Sequence, residues 1–89
     1  MPTRWEVIVL RDPEKVLVKL PRDLRHRLWT AIDSLGSNPR PAGCKKLRGY
    51  ADLYRLRAGD WRITYAVQDD KLIVVVVEVA PRGGAYKGL

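Results

Sequence analysis

Three arginines, Arg55, Arg57 and Arg62, fall within one eight-residue stretch, interleaved with Leu56 and followed by Ile63 and Tyr65. A guanidinium is planar, permanently charged, and able to hold a phosphate through two parallel hydrogen bonds. Three of them on neighbouring segments, with Arg82 as a fourth, suit the stabilisation of a phosphorane, the crowded anion formed when a nucleophile adds to phosphate. RNA cleavage by its own 2′-hydroxyl needs more than charge. It needs a base for the hydroxyl proton, an acid for the leaving 5′-oxygen, and alignment. Arginine stays protonated above pH 12, so Arg55 and Arg57 are poor bases. Tyr86 is the leading base if adjacent guanidinium groups pull its phenol down from a pKa near 10. Equally, it could stack on a nucleobase or orient the phosphate. Arg62, Arg82 and Tyr86 together are a reactive set that does not reduce to basic surface.

Composition points to the same partner. Seventeen Lys and Arg against ten Asp and Glu give a formal charge of +7, and 11 of the cations are arginine. An excess of that size in 89 residues favours a polyanionic partner, usually nucleic acid. Cys44 and His26 are the single Cys and the single His, which excludes an internal disulfide and a zinc site of ordinary ligand count. No metal or cofactor is expected. Cys44 has no adjacent base to activate it, and a reduced compartment fits a lone thiol. No signal peptide is expected before Trp5, where no apolar stretch is long enough, and the run Leu72 to Val77 is only six residues, too short for a bilayer. A cytoplasmic protein without membrane contact is expected.

The elements that must position these residues can be traced from periodicity. Trp5 to Leu10 reads as a first strand. Asp12-Pro13-Glu14 reads as a helix start, with Asp12 as the cap and Pro13 at the first helical position, leading to a short helix through about Leu20. Pro21 opens a second helix, in which Leu20, Leu24, Leu28, Ile32 and Leu35 form one apolar stripe and Gly36 supplies the stop. Three strands follow: Leu53 to Arg57, Trp61 to Val67, and Lys71 to Val79. The fold class is α+β, a single domain over residues 1–89 with a helical hairpin packed on a twisted antiparallel sheet of about four strands. Parity places Tyr54, Leu56, Trp61, Ile63 and Tyr65 on the core face. A turn centred on Ala58-Gly59 then pairs Leu56 with Trp61 and Arg55 with Arg62. Like charges face to face destabilise a sheet, so either an anion lies between them or both long side chains splay apart into solvent. Trp5, Trp29 and Trp61 are expected at the core or its edge. His26 and Glu78 are expected on elements away from the arginines.

The segments Lys46-Leu47-Arg48-Gly49 and Leu53-Tyr54-Arg55-Leu56-Arg57-Ala58-Gly59-Asp60-Trp61-Arg62-Ile63-Thr64-Tyr65 resemble the pattern of the RelE/ParE toxin superfamily. Leu35-Gly36-Ser37-Asn38-Pro39 is similar to the helix exit of that family, and Val79 to Tyr86 to its closing motif. The ordered set covers nearly the whole chain. The resemblance implies a helical hairpin on an antiparallel sheet and a toxin neutralised by a cognate antitoxin. RelE-type members cleave mRNA, typically in the ribosomal decoding site; ParE-type members act on DNA gyrase. It also implies that Arg55, Arg57, Arg62, Arg82 and Tyr86 are catalytic, with Arg82 the candidate acid, and that Arg48, Lys45 and Lys46 bind substrate. This sequence has arginines where well-studied RelE members carry lysines on the second strand. The expected activity is metal-independent mRNA cleavage, with gyrase inhibition or plain nucleic-acid binding as alternatives.

Overall fold

Apolar alternation and turn residues produce seven elements in the computed structural model, which describes residues 4–50 and 52–81. They are β1 (Glu6–Val9), α1 (Arg11–Val18), α2 (Arg22–Ser34), β2 (Lys45–Lys46), β3 (Leu53–Ala58), β4 (Trp61–Gln68) and β5 (Ile73–Pro81). The strands form one five-stranded sheet in the order β1-β5-β4-β3-β2. It is mixed, because β1 runs parallel to β5 while the other pairs are antiparallel. The expected sheet of about four antiparallel strands is corrected on both points. Hairpin turns dictate direction only between consecutive strands. β1 pairs with the last strand, across the helices, and no turn governs it.

The helices cover one face of the sheet. Leu17 of α1 and Leu28, Ile32 and Leu35 of the α2 stripe are buried against Ile63, Tyr65 and Val67 of β4 and Val74, Val76 and Val79 of β5. Trp5, Trp29, Trp61, Tyr54, Leu20 and Leu24 pack around that cluster as partly buried side chains, as parity and the stripe imply. Helix α1 begins two residues earlier than its proline suggests: Leu10 is the cap position and makes no side-chain cap bond. Pro13 therefore sits at the third helical position, where a missing N–H costs nothing because the first turn has no internal acceptor. Gly36 serves close approach. A Cβ there would lie 2.8 Å from the Arg4 guanidinium, which donates to Asp33 and Ser37 at the end of α2.

Two irregularities set which way the site residues point. Gly59, with φ +63°, and Asp60 make a two-residue turn that pairs Ala58 with Trp61. The turn is thus centred one residue later than expected. Only glycine takes positive φ freely, so the first central position of a tight hairpin falls to Gly59 rather than Ala58. The second irregularity is a bulge on β5: Thr64 pairs with Glu78 but Tyr65 pairs with Val76, leaving Val77 as the extra residue. Val74 and Val76 face the core before it and Val79 after it, so the bulge turns Glu78 out to the open face.

Truncating Leu28 to alanine removes a fully buried side chain at the centre of the helix-to-sheet contact. It is expected to cost about 2–5 kcal/mol in urea unfolding. A loss under about 1 kcal/mol would contradict this packing.

Candidate active site

Strand alternation places two transverse rows on the face of the sheet opposite the helices. In the first row, Lys45 of β2 pairs with Arg55, Arg55 with Thr64, and Thr64 with Glu78. In the second, Arg57 pairs with Arg62 and Arg62 with Ala80. The predicted opposition of Arg55 and Arg62 is therefore corrected to Arg57 against Arg62, because the Gly59-Asp60 turn shifts the pairing by two residues. Cross-strand neighbours stand about 5 Å apart at Cβ. Lys45, Arg55, Arg57 and Arg62 consequently share one surface, and they line a cleft of about 570 Å³ walled by Ala42 and Gly43.

Arg62 is the most enclosed of these cations. Its side chain is 28% exposed, and its Nε is shielded from solvent with no hydrogen-bond partner among the described residues. Glu78 Oε1 lies 3.8 Å from that Nε, too far for a hydrogen bond, and accepts one from Thr64 Oγ1 at 3.2 Å. A buried donor left unpaired favours an incoming acceptor. The arrangement suits a phosphate oxygen.

The wall of the cleft is fixed from behind. Arg40, in the loop between α2 and β2, grips Asp69 with two hydrogen bonds of 2.7 and 3.1 Å and donates from Nε to the Tyr54 hydroxyl at 3.0 Å. Tyr54 stacks on Tyr65, whose hydroxyl donates to the carbonyl of Pro39 at 2.8 Å. The network pins the loop that carries Ala42 and Gly43 and leads into Lys45 of β2. Its electrostatics are one-sided. The hydrogen bonds from Arg40 hold the Asp69 carboxyl below its ordinary range, while Asp69 and then Tyr54 raise the Arg40 guanidinium further. Burial, then contact with Cys44, pushes the Tyr65 phenol well up, so Tyr65 acts here as a donor and not as a base.

The candidate residues read from sequence fare unequally. Arg55, Arg57, Arg62 and Lys45 come together as described. Lys46 pairs with Tyr54 and so stands on the opposite face of β2, and Arg48 is exposed beyond β2 without lining the cleft. Arg82 and Tyr86 lie outside the described residues. His26 is remote, on the exposed side of α2 with Arg22, Arg27 and Thr30. Sequence reasoning placed Glu78 on an element away from the arginines, whereas it stands beside Thr64 and 3.8 Å from Arg62. The bulge at Val77 breaks the alternation that would have located it. It also missed the Arg40–Asp69 clamp, which joins residues 29 positions apart and leaves no local pattern.

The structure is thus a helical hairpin on one face of a mixed sheet, with a cationic cleft on the other. The chain belongs to the RelE/ParE toxin superfamily: residues 4–86 match the family described as ParE toxin of type II toxin-antitoxin system, parDE. It is 34% identical over 87 residues to a Methanocaldococcus jannaschii protein named "Putative toxin RelE1", covering 94% of this chain and 97% of that one. Its structure resembles the archaeal RelE–RelB complex from Pyrococcus horikoshii OT3, with a TM-score of 0.81, 30% identity, and coverage of 90% and 97% of the two chains. The isolated Escherichia coli RelE toxin aligns with a TM-score of 0.74 at 28% identity, covering 89% of this chain and 85% of that one.

Two outcomes test this geometry. Arg57→Ala removes a like-charge neighbour of Arg62, so its unfolding free energy at low salt is expected to stay within about 0.5 kcal/mol of wild type or to rise. A loss above about 1 kcal/mol would show that the pair supports the fold. Asp69, with its depressed carboxyl, contributes stability above the ordinary Asp pKa of about 3.9, and that contribution is lost as pH falls through the native value. Asp69→Asn should therefore unfold more easily than wild type at neutral pH, and the gap should close in acid. A gap independent of pH would refute the clamp.

Proposed function

We propose that this protein is a toxin that cleaves mRNA as a metal-independent endoribonuclease, acting in the ribosome as one domain of residues 1–89. The observation that carries the reading is Arg57 directly opposite Arg62, with Arg55 and Lys45 adjoining, around an open cleft. A sheet gains nothing from that opposition, whereas a phosphodiester placed between the strands neutralises it. The 2′-hydroxyl attacks the adjacent phosphorus, and the guanidinium groups of Arg55, Arg57 and Arg62 stabilise the charge on the phosphorane oxygens. Arg82 and Tyr86 join them by resemblance, Arg82 as a further cation and Tyr86 as a stacking, orienting or proton-accepting group. Lys45 binds the flanking backbone, with Arg48 and Lys46 contributing to the approach of RNA. The product is a cyclic phosphate or the 3′-phosphate derived from it.

The solved relatives from P. horikoshii and M. jannaschii are described as RelE in complex with the antitoxin RelB. A cognate antitoxin that masks the cationic face is the corresponding partner here, and charge complementarity favours an acidic segment for a chain of +7. The site of action is the cytoplasm, where mRNA is translated.

The second reading is inhibition of DNA gyrase, favoured by the ParE description of the matching family. Expression of wild-type protein and Arg62→Ala in a bacterial host separates the two. Cleaved ribosome-bound mRNA with wild type, and loss of cleavage and of growth arrest with the variant, is the expected result. Removing one preorganised donor typically costs about 100- to 1,000-fold in rate. Growth arrest with intact mRNA and broken DNA would decide for gyrase.

A further inference from the structure

The guanidinium row leaves the proton chemistry unassigned, because no arginine accepts a proton at physiological pH. A carboxylate stands within the same face. Glu78 ends the first transverse row, after Lys45, Arg55 and Thr64, and lies diagonally beside Arg62. Three features single it out. The Val77 bulge turns it out of the core and onto this face. Thr64 Oγ1, itself in a buried residue, donates to its Oε1 at 3.2 Å and fixes its orientation. Its side chain is 50% exposed, and no described residue donates to its second oxygen, so that oxygen remains open to a ligand.

We infer that Glu78 is the general base of this site. The inference rests on the RNA-cleavage reading above. With the scissile phosphate held by Arg62, whose Nε stands 3.8 Å from Glu78 Oε1, the neighbouring ribose is brought beside the carboxylate. Glu78 takes the 2′-hydroxyl proton as the 2′-oxygen forms its bond to phosphorus. The bond from phosphorus to the 5′-oxygen breaks, and its electron pair leaves on that oxygen, which takes a proton from water. The products are a 2′,3′-cyclic phosphate and a 5′-hydroxyl, and the carboxylic acid returns its proton to solvent. No oxidant or further reactant enters the balance. Tyr86 is then released from the role of base and keeps that of stacking on a nucleobase or orienting the phosphate.

Thr64 becomes a positioning residue under this assignment. Its hydroxyl separates Arg55 from Glu78 within the row and holds the carboxylate short of a full ion pair with Arg62. An ion pair at hydrogen-bond distance would occupy both the base and the cation meant for the phosphate.

The test compares wild type, Glu78→Gln and Glu78→Asp as full chains, with bacterial ribosomes carrying an end-labelled mRNA, in single-turnover cleavage from about pH 5 to 9. Gln keeps the shape and can still accept the hydrogen bond from Thr64, but it cannot take a proton. Glu78→Gln is expected to lose about 100- to 10,000-fold in maximal rate, to lose the acid limb of the pH profile, and to bind the mRNA complex at least as tightly as wild type. Glu78→Asp should retain the acid limb at reduced rate. Far-ultraviolet circular dichroism matching wild type shows that the variants are folded. Cleavage by Glu78→Gln within about threefold of wild type, or slower cleavage that keeps the same acid limb, overturns the inference alone. Wild-type protein that leaves the mRNA intact overturns the RNA-cleavage reading, and this inference with it.

Discussion

Burial of Ile63, Tyr65 and Val67 on one side of β4 is the constraint on which the rest depends. A strand with three consecutive inward positions filled cannot slip by one residue without carrying all three into water. The residues that alternate with them, Arg62 and Thr64, are thereby committed to the opposite face. β3 and β5 take their register from this strand, and through them so do Lys45, Arg55, Arg57 and Glu78. The cationic cleft is the reverse side of the core, and the same backbone positions both. Packing energy on the helix face holds together charges that would otherwise separate.

The division of labour between the faces explains why the loop after α2 is so firmly tied. Its residues Ala42 and Gly43 wall a cleft whose floor is rigid sheet, so a loose wall would squander that rigidity. Arg40 bridges Asp69 of the β4–β5 turn and Tyr54 of β3, and Pro39 accepts from Tyr65. The loop is therefore referred to the same strand that sets the arginines. Salt bridges at exposed positions contribute little individually. Here the geometry is bidentate and shared with two stacked aromatics, which makes it an alignment device more than a source of stability.

Most of the architecture was legible because it rests on periodicity. The stripe from Leu20 to Leu35 and the alternation from Tyr54 to Tyr65 each encode which side is buried, and the structure follows both. Parity put an arginine of β3 opposite Arg62, but the turn centred on Ala58-Gly59 made it Arg55 where the structure has Arg57. That choice belongs to a single glycine and its tolerance of positive φ. Strand direction at β1, the bulge at Val77 and the Arg40 clamp were not legible, since each arises from contacts between distant segments. The cost of missing the bulge was specific: Glu78 was expected away from the arginines, whereas its carboxylate lies 3.8 Å from the Arg62 Nε. The resemblance to the superfamily named the architecture, yet the register is set by the Gly59 turn and the Val77 bulge.

The crowding of positive charge on the open face also makes the molecule's stability depend on its company. A polyanion that binds the folded cleft and has little affinity for the unfolded chain adds RT ln(1 + [L]/Kd) to the free energy of unfolding. At a hundred times the dissociation constant that is about 2.7 kcal/mol, a large share of what holds a small domain together. With a polyanion in the cleft the protein is reinforced; alone at low ionic strength, it carries its own repulsion unrelieved. Its solitary form is accordingly the one most exposed to proteolysis, a vulnerability written into the same arginines that form the cleft.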